Sequence, residues 1–391
     1  MKSSDLSPAI RQTLVPVVAH PGALAIVPPP PPLLVPLGGI DRLLMRAHEA
    51  LAALQVTTAK LPNPNLILRT LDRREAVRSS QIEGTTADIN HVFEYESTGN
   101  DQGLPTDVRV TLNYVKALDH GVSEVRRVGS NQALTLRLIR MLHTILMDGD
   151  AEYLKRDMPG QFRSRQNWIG GLRIYDAKIV PPPPEKLPRL LADFEQALHY
   201  VPSEEDQYSV SVIVRMAILH AQFELIHAFI DGNGRVGRML MPLMLAAEGY
   251  PPVYLAGFLK ANQEEYYRTL ADAQLRERWP EWVGFVAQAV TASCQDAIRT
   301  ADDLIAIRTG WAQLLSHLRS DASALMAIDI LLGEPVVTVN LLKERLNVSF
   351  PAANTAIEQL KQAGILEDIS KIGRSRAFVA HEIIARLDRP T

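Results

Sequence analysis

His227-Ala228-Phe229-Ile230-Asp231-Gly232-Asn233-Gly234-Arg235-Val236-Gly237-Arg238 lies between two long apolar runs, 207–226 before it and 236–248 after it. Both runs carry apolar residues at helical spacing, which predicts a helix–loop–helix junction rather than a strand-to-helix turn. The loop core, Asp231-Gly232-Asn233-Gly234, is made of residues that tolerate positive φ. Such a loop can turn successive backbone N–H groups into one concavity, an anion nest. The helix that starts directly after it aims its positive end at the same place. Arg235 and Arg238 are three apart and share a helix face. Two guanidiniums, a nest and a helix N-terminus together suit a polyphosphate. Asp231 at the loop mouth could hold a magnesium ion bridging phosphate oxygens. His227, ending the preceding helix, could serve as a general base. Each feature alone has a commonplace explanation, since Gly-Asn-Gly turns join many helices and arginines at helix starts are often simply solvated. Their coincidence within one short segment is what carries weight.

Outward from this junction, further helical patterns cover 40–56, 64–82, 108–126, 134–149, 186–200, 259–277 and 279–318. Strand signals before residue 330 are few. The clearest is Trp168 to Val180, where two short apolar stretches flank turn residues and predict a hairpin. Proline runs at Pro28–Pro32 with Pro36, and at Pro181–Pro184, read as stiff extended connectors crossing a surface. Beyond residue 323 the pattern changes. A helix over 323–332 is broken at Glu334-Pro335, and Val336 to Val339 is β-branched. Asn340 is expected to cap a short helix, and a longer one follows from Pro351 and ends at Gly364. Strand-like pieces at 366–370 and 376–379 are joined by Lys371 to Ser375. This is the order of a winged helix. The chain is expected to be mainly α, with a small hairpin and a C-terminal winged-helix domain. Boundaries are placed at 1–98, 99–304 and 305–391.

The chain has 391 residues with 47% hydrophobic and 22% charged, which is globular composition and length enough for two or three domains. A net charge of −3 argues against a chain devoted to nucleic acid or an anionic membrane. From residue 323 onward, basic and acidic residues balance eight to eight, a weak basis for phosphate contacts to DNA, although Lys371, Arg374 and Arg376 cluster on the predicted wing. A protein-interaction or dimerisation role is the alternative for this domain. The single cysteine, Cys294, excludes an internal disulfide and a cysteine-built zinc site. No apolar run is long enough to span a bilayer, and the start reads as mature protein, so the expected location is cytoplasmic. There is no Gly-x-x-x-x-Gly-Lys-Ser/Thr loop, and no serine or cysteine nucleophile signature. His220 and His227 lack a third nearby ligand for a metal site.

The junction resembles the signature of the Fic (filamentation-induced-by-cAMP) family, His-Pro-Phe-x-Asp/Glu-Gly-Asn-Gly-Arg-x-x-Arg. It departs at Ala228, where proline is usual; alanine removes no functional group. Glu75-Ala-Val-Arg-Ser-Ser-Gln-Ile-Glu-Gly84 resembles the inhibitory-helix signature, with Ser79, Glu83 and Gly84 in place. Gly160-Gln-Phe-Arg-Ser-Arg-Gln-Asn-Trp-Ile-Gly170 with the prolines after Val180 resembles the flap region, and Tyr266-Tyr267 also has a counterpart.

That resemblance implies a Fic-type helical bundle that transfers AMP from ATP, with Mg²⁺, to a Tyr, Thr or Ser hydroxyl of a target protein or of itself. His227 would be the base and Asp231 the metal ligand. Asn233 and the N–H groups of Gly232, Gly234 and Arg235 would bind phosphate, with Arg235 on the β- and Arg238 on the γ-phosphate. Asp176, Ala177, Lys178 and Ile179 would be the flap residues nearest the nucleotide, and Tyr266 and Tyr267 would line the adenosine pocket. Glu83 would occupy Arg238 and hold the enzyme off, helped by Ser79. AMP removal, transfer of another nucleotide, and a DNA-binding regulator that senses nucleotide through this site stand as alternatives.

Overall fold

The computed structural model describes residues 5–32, 34–60, 64–201, 210–372 and 375–389. The expected start of the 207–226 helix, and Gly373 and Arg374 of the expected wing, lie outside the described residues, as do the first four residues and Leu33. The elements run as follows. A short helix α1 (Pro8–Gln12) leads to strands β1 (Leu14–Pro16) and β2 (Leu24–Ile26). Helices α2 (Asp41–Lys60), α3 (Pro64–Ile82), α4 (Ile89–Thr98), α5 (Val108–Val128), α6 (Leu136–Leu146), α7 (Ala151–Leu154) and α8 (Leu187–Leu198) follow. Next come α9 (Val212–Ile226), α10 (Asn233–Ala247), α11 (Ala256–Ala261), α12 (Gln263–Arg276) and the long α13 (Trp279–Leu314). The chain ends with α14 (Ser323–Gly333), β3 (Val336–Thr338), α15 (Val339–Leu346), α16 (Phe350–Gln362), β4 (Glu367–Ile372), β5 (Ser375–Val379) and α17 (His381–Leu387). Two compact units result: Met1–Ala52 with Lys116–Ala292, and Ala53–Val115 with Ser293–Thr391.

The first unit is built round α9. This helix is apolar on nearly every face, as a fully buried helix must be, and all its residues are buried. It packs against α8, α10 and α12. The α9–α10 contact is close because Gly237 has no side chain: a Cβ there would stand 2.4 Å from Glu224 Oε1. The expected helix at 259–277 is two helices, with Asn262 ending α11 and preceding α12.

Three expectations in this unit are corrected. The 168–180 hairpin is reduced to one antiparallel bridge, Ile169 to Ile179, with a 3-10 turn over Ile174–Asp176 between. Gly170 and Gly171, both at positive φ, break the ladder just after the bridge. The returning segment passes so close that a Cβ on Gly171 would stand 2.6 Å from the Asp176 carbonyl oxygen. The second proline run does not cross a surface: Pro181, Pro182 and Pro183 are buried. Strands also occur early in the chain, where none were expected. Strands β1 and β2 pair antiparallel, Leu14 opposite Ile26, and the Ile26 N–H donates to the Val180 carbonyl at 2.9 Å. This N-terminal hairpin shares a small core with Ile174, Ala177 and Val180, so it backs the flap segment.

The second unit contains α3, α4 and the C-terminal elements. Strands β3, β5 and β4 form an antiparallel sheet in that order. Helices α14, α15 and α16 pack on one another, and α3 packs on α14 and α17. The order expected from residue 323 to 379 is present, with two differences. The cap of α15 is Thr338, whose extended backbone lets its hydroxyl accept from Leu341 N at 3.1 Å, rather than Asn340. A further helix, α17, follows β5. Helix α3 is tied into the unit by charge: Arg74 pairs with Asp296 of α13, and Arg78 reaches both the carbonyl and the side chain of Asp388. Among the described residues no helix is long and apolar enough to cross a membrane.

Candidate active site

The loop between α9 and α10 is held from below by groups distant in sequence. His227 caps α9 with φ +49, an uncommon conformation for a residue with a Cβ. Its carbonyl is therefore turned out of the helix, and it accepts from Arg163 Nε at 2.8 Å and Asn167 Nδ2 at 3.3 Å. Arg163 is buried and also donates to the carbonyls of Arg165 and Pro182. Burial lowers its pKa to about 10. Asn233 closes the loop internally: Oδ1 accepts from Phe229 N, and Nδ2 donates to Phe229 O, both at 2.9 Å. Its amide thus pairs with the loop's own backbone on both sides.

His143 of α6 supplies the floor. Its ring stacks on Phe229, with centroids 3.8 Å apart and planes 5° from parallel. Nδ1 accepts from Gly160 N at 2.9 Å, so the proton sits on Nε2, which donates to the Asp231 carbonyl at 3.1 Å. Burial pushes this imidazole down to about 4, so it is neutral at physiological pH.

The upper side of the loop carries most of the expected site residues. The His227 side chain lies 3.1 Å from the Glu224 carbonyl through Nδ1. A carbonyl can only accept, so Nδ1 carries the proton and Nε2 is the basic nitrogen of the ring. Gly232, at φ +78, is the N-cap of α10, which begins three residues earlier than its apolar pattern suggests. The N–H groups of Asn233, Gly234 and Arg235 are therefore first-turn donors without an acceptor in the helix. Arg235 is buried, and its Nε has no partner among the described residues, an orphan donor beside those N–H groups. Asp231 is half-exposed. Its Oδ1 accepts from Gly232 N, and its Oδ2 faces Arg156 Nη2 at 3.0 Å. Among the described residues no three His, Cys, Asp or Glu cluster as a metal cage. A cation here would take one carboxylate, with phosphate and water completing its shell, which is how Mg²⁺ is commonly held. Arg238 is buried one turn further along α10.

The other expected residues are less closely grouped. Tyr266 is buried and donates or accepts at His220 Nε2, 2.8 Å away, within an aromatic cluster with Trp282 and Phe285. Tyr267, the next residue, is 45% exposed. In the flap segment Ala177 and Ile179 face the core, whereas Lys178 is exposed and Asp176 pairs with Arg173 at 3.0 Å. Ser79 is buried on α3, and Glu83 and Gly84 form the turn just after that helix, Gly84 at φ +96. His143, Arg163 and Asn167 were not singled out from sequence, although Arg163 and Asn167 lie within a quoted motif.

Residues 133–245 match the model of the Fic/DOC family, and residues 42–123 match that of the Fic/DOC family N-terminal region. The chain is a Fic/DOC family protein. It is similar to protein adenylyltransferase fic-1 of Caenorhabditis briggsae, 33% identical over 39% of this chain and 29% of that one. It is also similar to protein adenylyltransferase Fic of Drosophila grimshawi, 33% identical over 42% of this chain and 33% of that one. The match thus spans about a third of the length of these relatives. Among solved structures, a Fic family protein from Desulfovibrio desulfuricans shares the fold with a TM-score of 0.53 over 90% of this chain and 98% of that one, at 21% identity. The C. elegans Fic-1 fragment covers 67% of this chain and 72% of its own, with a TM-score of 0.50 at 22% identity.

Proposed function

We propose that this Fic/DOC protein is a protein adenylyltransferase restrained by its own Glu83. The observation that supports it best is the tautomer of His227. With Nδ1–H on the Glu224 carbonyl, Nε2 is the unprotonated, basic nitrogen, beside a loop whose first-turn N–H groups suit an anion. In the proposed reaction a target Tyr, Thr or Ser hydroxyl gives its proton to Nε2. Its oxygen forms a bond to the α-phosphorus of ATP while the bond to the bridging oxygen breaks, and pyrophosphate leaves. The N–H groups of Asn233, Gly234 and Arg235 and the Arg235 guanidinium hold the α- and β-phosphates, and Arg238 takes the γ-phosphate. Mg²⁺, when bound at Asp231, neutralises charge on the α- and β-phosphate oxygens. Arg163, Asn167, Asn233 and His143 keep the loop in shape so that these donors need not reorganise during transfer.

Glu83 restrains transfer by competing for Arg238, and Ser79 helps seat α3 for that role. Residues 323–379 form a winged-helix module, and its balanced charge fits a protein partner or a second copy of this chain better than DNA. The test is intact-mass spectrometry after incubation with ATP and Mg²⁺, alone and with cell lysate. Added AMP should rise in Glu83→Gly and vanish in Glu83→Gly/His227→Ala. Absence of AMP on any protein in all variants would refute the transferase reading.

A further inference from the structure

Behind Arg238 runs a line of buried polar groups that the transfer chemistry does not use. The Tyr266 hydroxyl lies beside the Arg238 guanidinium, close enough to accept from it. That hydroxyl is also 2.8 Å from His220 Nε2. All three side chains are buried. His220 is held neutral, pushed down to about 3 by burial and further disfavoured as a cation by Arg238 itself. Burial likewise raises the phenol above its usual range, so it stays protonated. The guanidinium can only donate, which leaves the phenol proton for His220 and the ring proton of His220 on Nδ1, a buried atom without a hydrogen-bond partner among the described residues. The phenol O–H points at the neutral Nε2, and the phenol lone pairs point at the guanidinium.

The phenol cannot shift to follow a moving arginine. Its ring lies between Tyr267, 5.0 Å away, and Trp282, 6.0 Å away. Trp282 is fixed in turn: its Nε1 donates to the Ala217 carbonyl at 2.8 Å, and its indole stacks on His220. An arginine has five N–H donors in a rigid fork, so fixing one of them sets the direction of the rest.

We propose that Tyr266, backed by His220, is a positioning residue that sets the Arg238 fork for the terminal phosphate and so lets the site distinguish a nucleoside triphosphate from a diphosphate. This places Tyr266 behind the phosphate arginine rather than in the base pocket. The inference rests on the reading of Arg238 as the γ-phosphate arginine, and the test separates the two.

ATP and ADP affinities, with Mg²⁺, are measured by calorimetry in the Glu83→Gly/His227→Ala background, which has neither Glu83 nor turnover. Tyr266→Phe keeps the ring and removes the hydroxyl. ATP binding should weaken roughly tenfold, the scale of one hydrogen bond to a charged group, while ADP binding stays within about twofold. His220→Gln should shift the same ratio in the same direction by a smaller factor. It carries the test alone if Tyr266→Phe does not fold. Arg238→Ala is the reference. If it leaves the ATP-to-ADP ratio unchanged, Arg238 is not the terminal-phosphate arginine and the inference falls with that reading. If Arg238→Ala collapses the ratio and the Tyr266 and His220 variants do not, only the inference is overturned. Equal weakening of ATP and ADP in Tyr266→Phe would also overturn it, because it would mark a structural or base-pocket role.

Discussion

Replacing His143 by glutamine should make the stability of the first unit less sensitive to mild acid. The folded imidazole is pushed by burial from an ordinary 6.5 to about 4. A histidine that is neutral when folded binds its proton only in the unfolded chain. Its contribution is therefore fully present above pH 6.5 and is lost as pH falls toward the folded value. The interval of about 2.5 pH units corresponds to roughly 3 kcal/mol in full. At pH 5.5, one unit below the ordinary value and still above the carboxylates, about 1 kcal/mol of it is lost. The assay compares urea unfolding of wild type and His143→Gln at pH 7.5 and pH 5.5. The stability gap between them should narrow by about 1 kcal/mol at the lower pH. The difference between the two proteins cancels every other titrating group, including His220. Selective histidine labelling gives an independent reading: the His143 resonance should not titrate above pH 5. A gap that is the same at both pH values, or a resonance titrating near 6.5, would refute the assignment of His143 as a neutral, buried floor for the loop.

Three further outcomes follow from the site. His227→Ala in the Glu83→Gly background should lower AMP transfer by roughly 10²- to 10⁴-fold, the usual contribution of a general base, with ATP binding little changed; labelled-ATP transfer and calorimetry read the two separately. Arg163→Met removes one donor from each of the carbonyls of His227, Pro182 and Arg165. It should lower stability by about 2–4 kcal/mol, read as a fall in thermal midpoint, and an unchanged midpoint would show the clamp to be dispensable. Asp231→Asn should raise the Mg²⁺ concentration needed for half-maximal transfer several-fold, in keeping with a single protein carboxylate on the ion, and an unaltered requirement would remove Asp231 from metal binding.

The α9–α10 loop was legible in sequence because what shapes it is mostly local. Positive-φ residues, a helix start and the two arginines sit within one short segment. Its support was not, because Arg163, Asn167 and His143 reach it from 60 or more residues away along the chain. A histidine on the apolar face of α6 looks like any core histidine, and only the stack on Phe229 separates it from one. The buried flap prolines misled for a related reason: an extended segment has the same pattern whether it lies on a surface or beneath a hairpin. Strands β1 and β2 are three residues each, too short to show alternation. Tyr266 and Tyr267 show where local reading ends. Adjacent helical residues point about 100° apart, so one ring lies in the core and the other at the surface.

Order along the chain and order of assembly differ here. Helix α3 precedes the residues that match the Fic/DOC model, yet it folds with those that follow, through Arg74 to Asp296 and Arg78 to Asp388. A buried ion pair broken on one side costs about 3–5 kcal/mol, so α3 and the C-terminal helices stand or fall together. The Glu83 helix is thus not a cassette that can be excised from, or grafted onto, another Fic core by itself. A truncation before residue 323 would strip α3 of α14 and α17, the partners it packs on. A ligand of the last seventy residues that favours the packing of α14 and α17 on α3 would, by thermodynamic reciprocity, also bias the order of the helix that leads into Glu83.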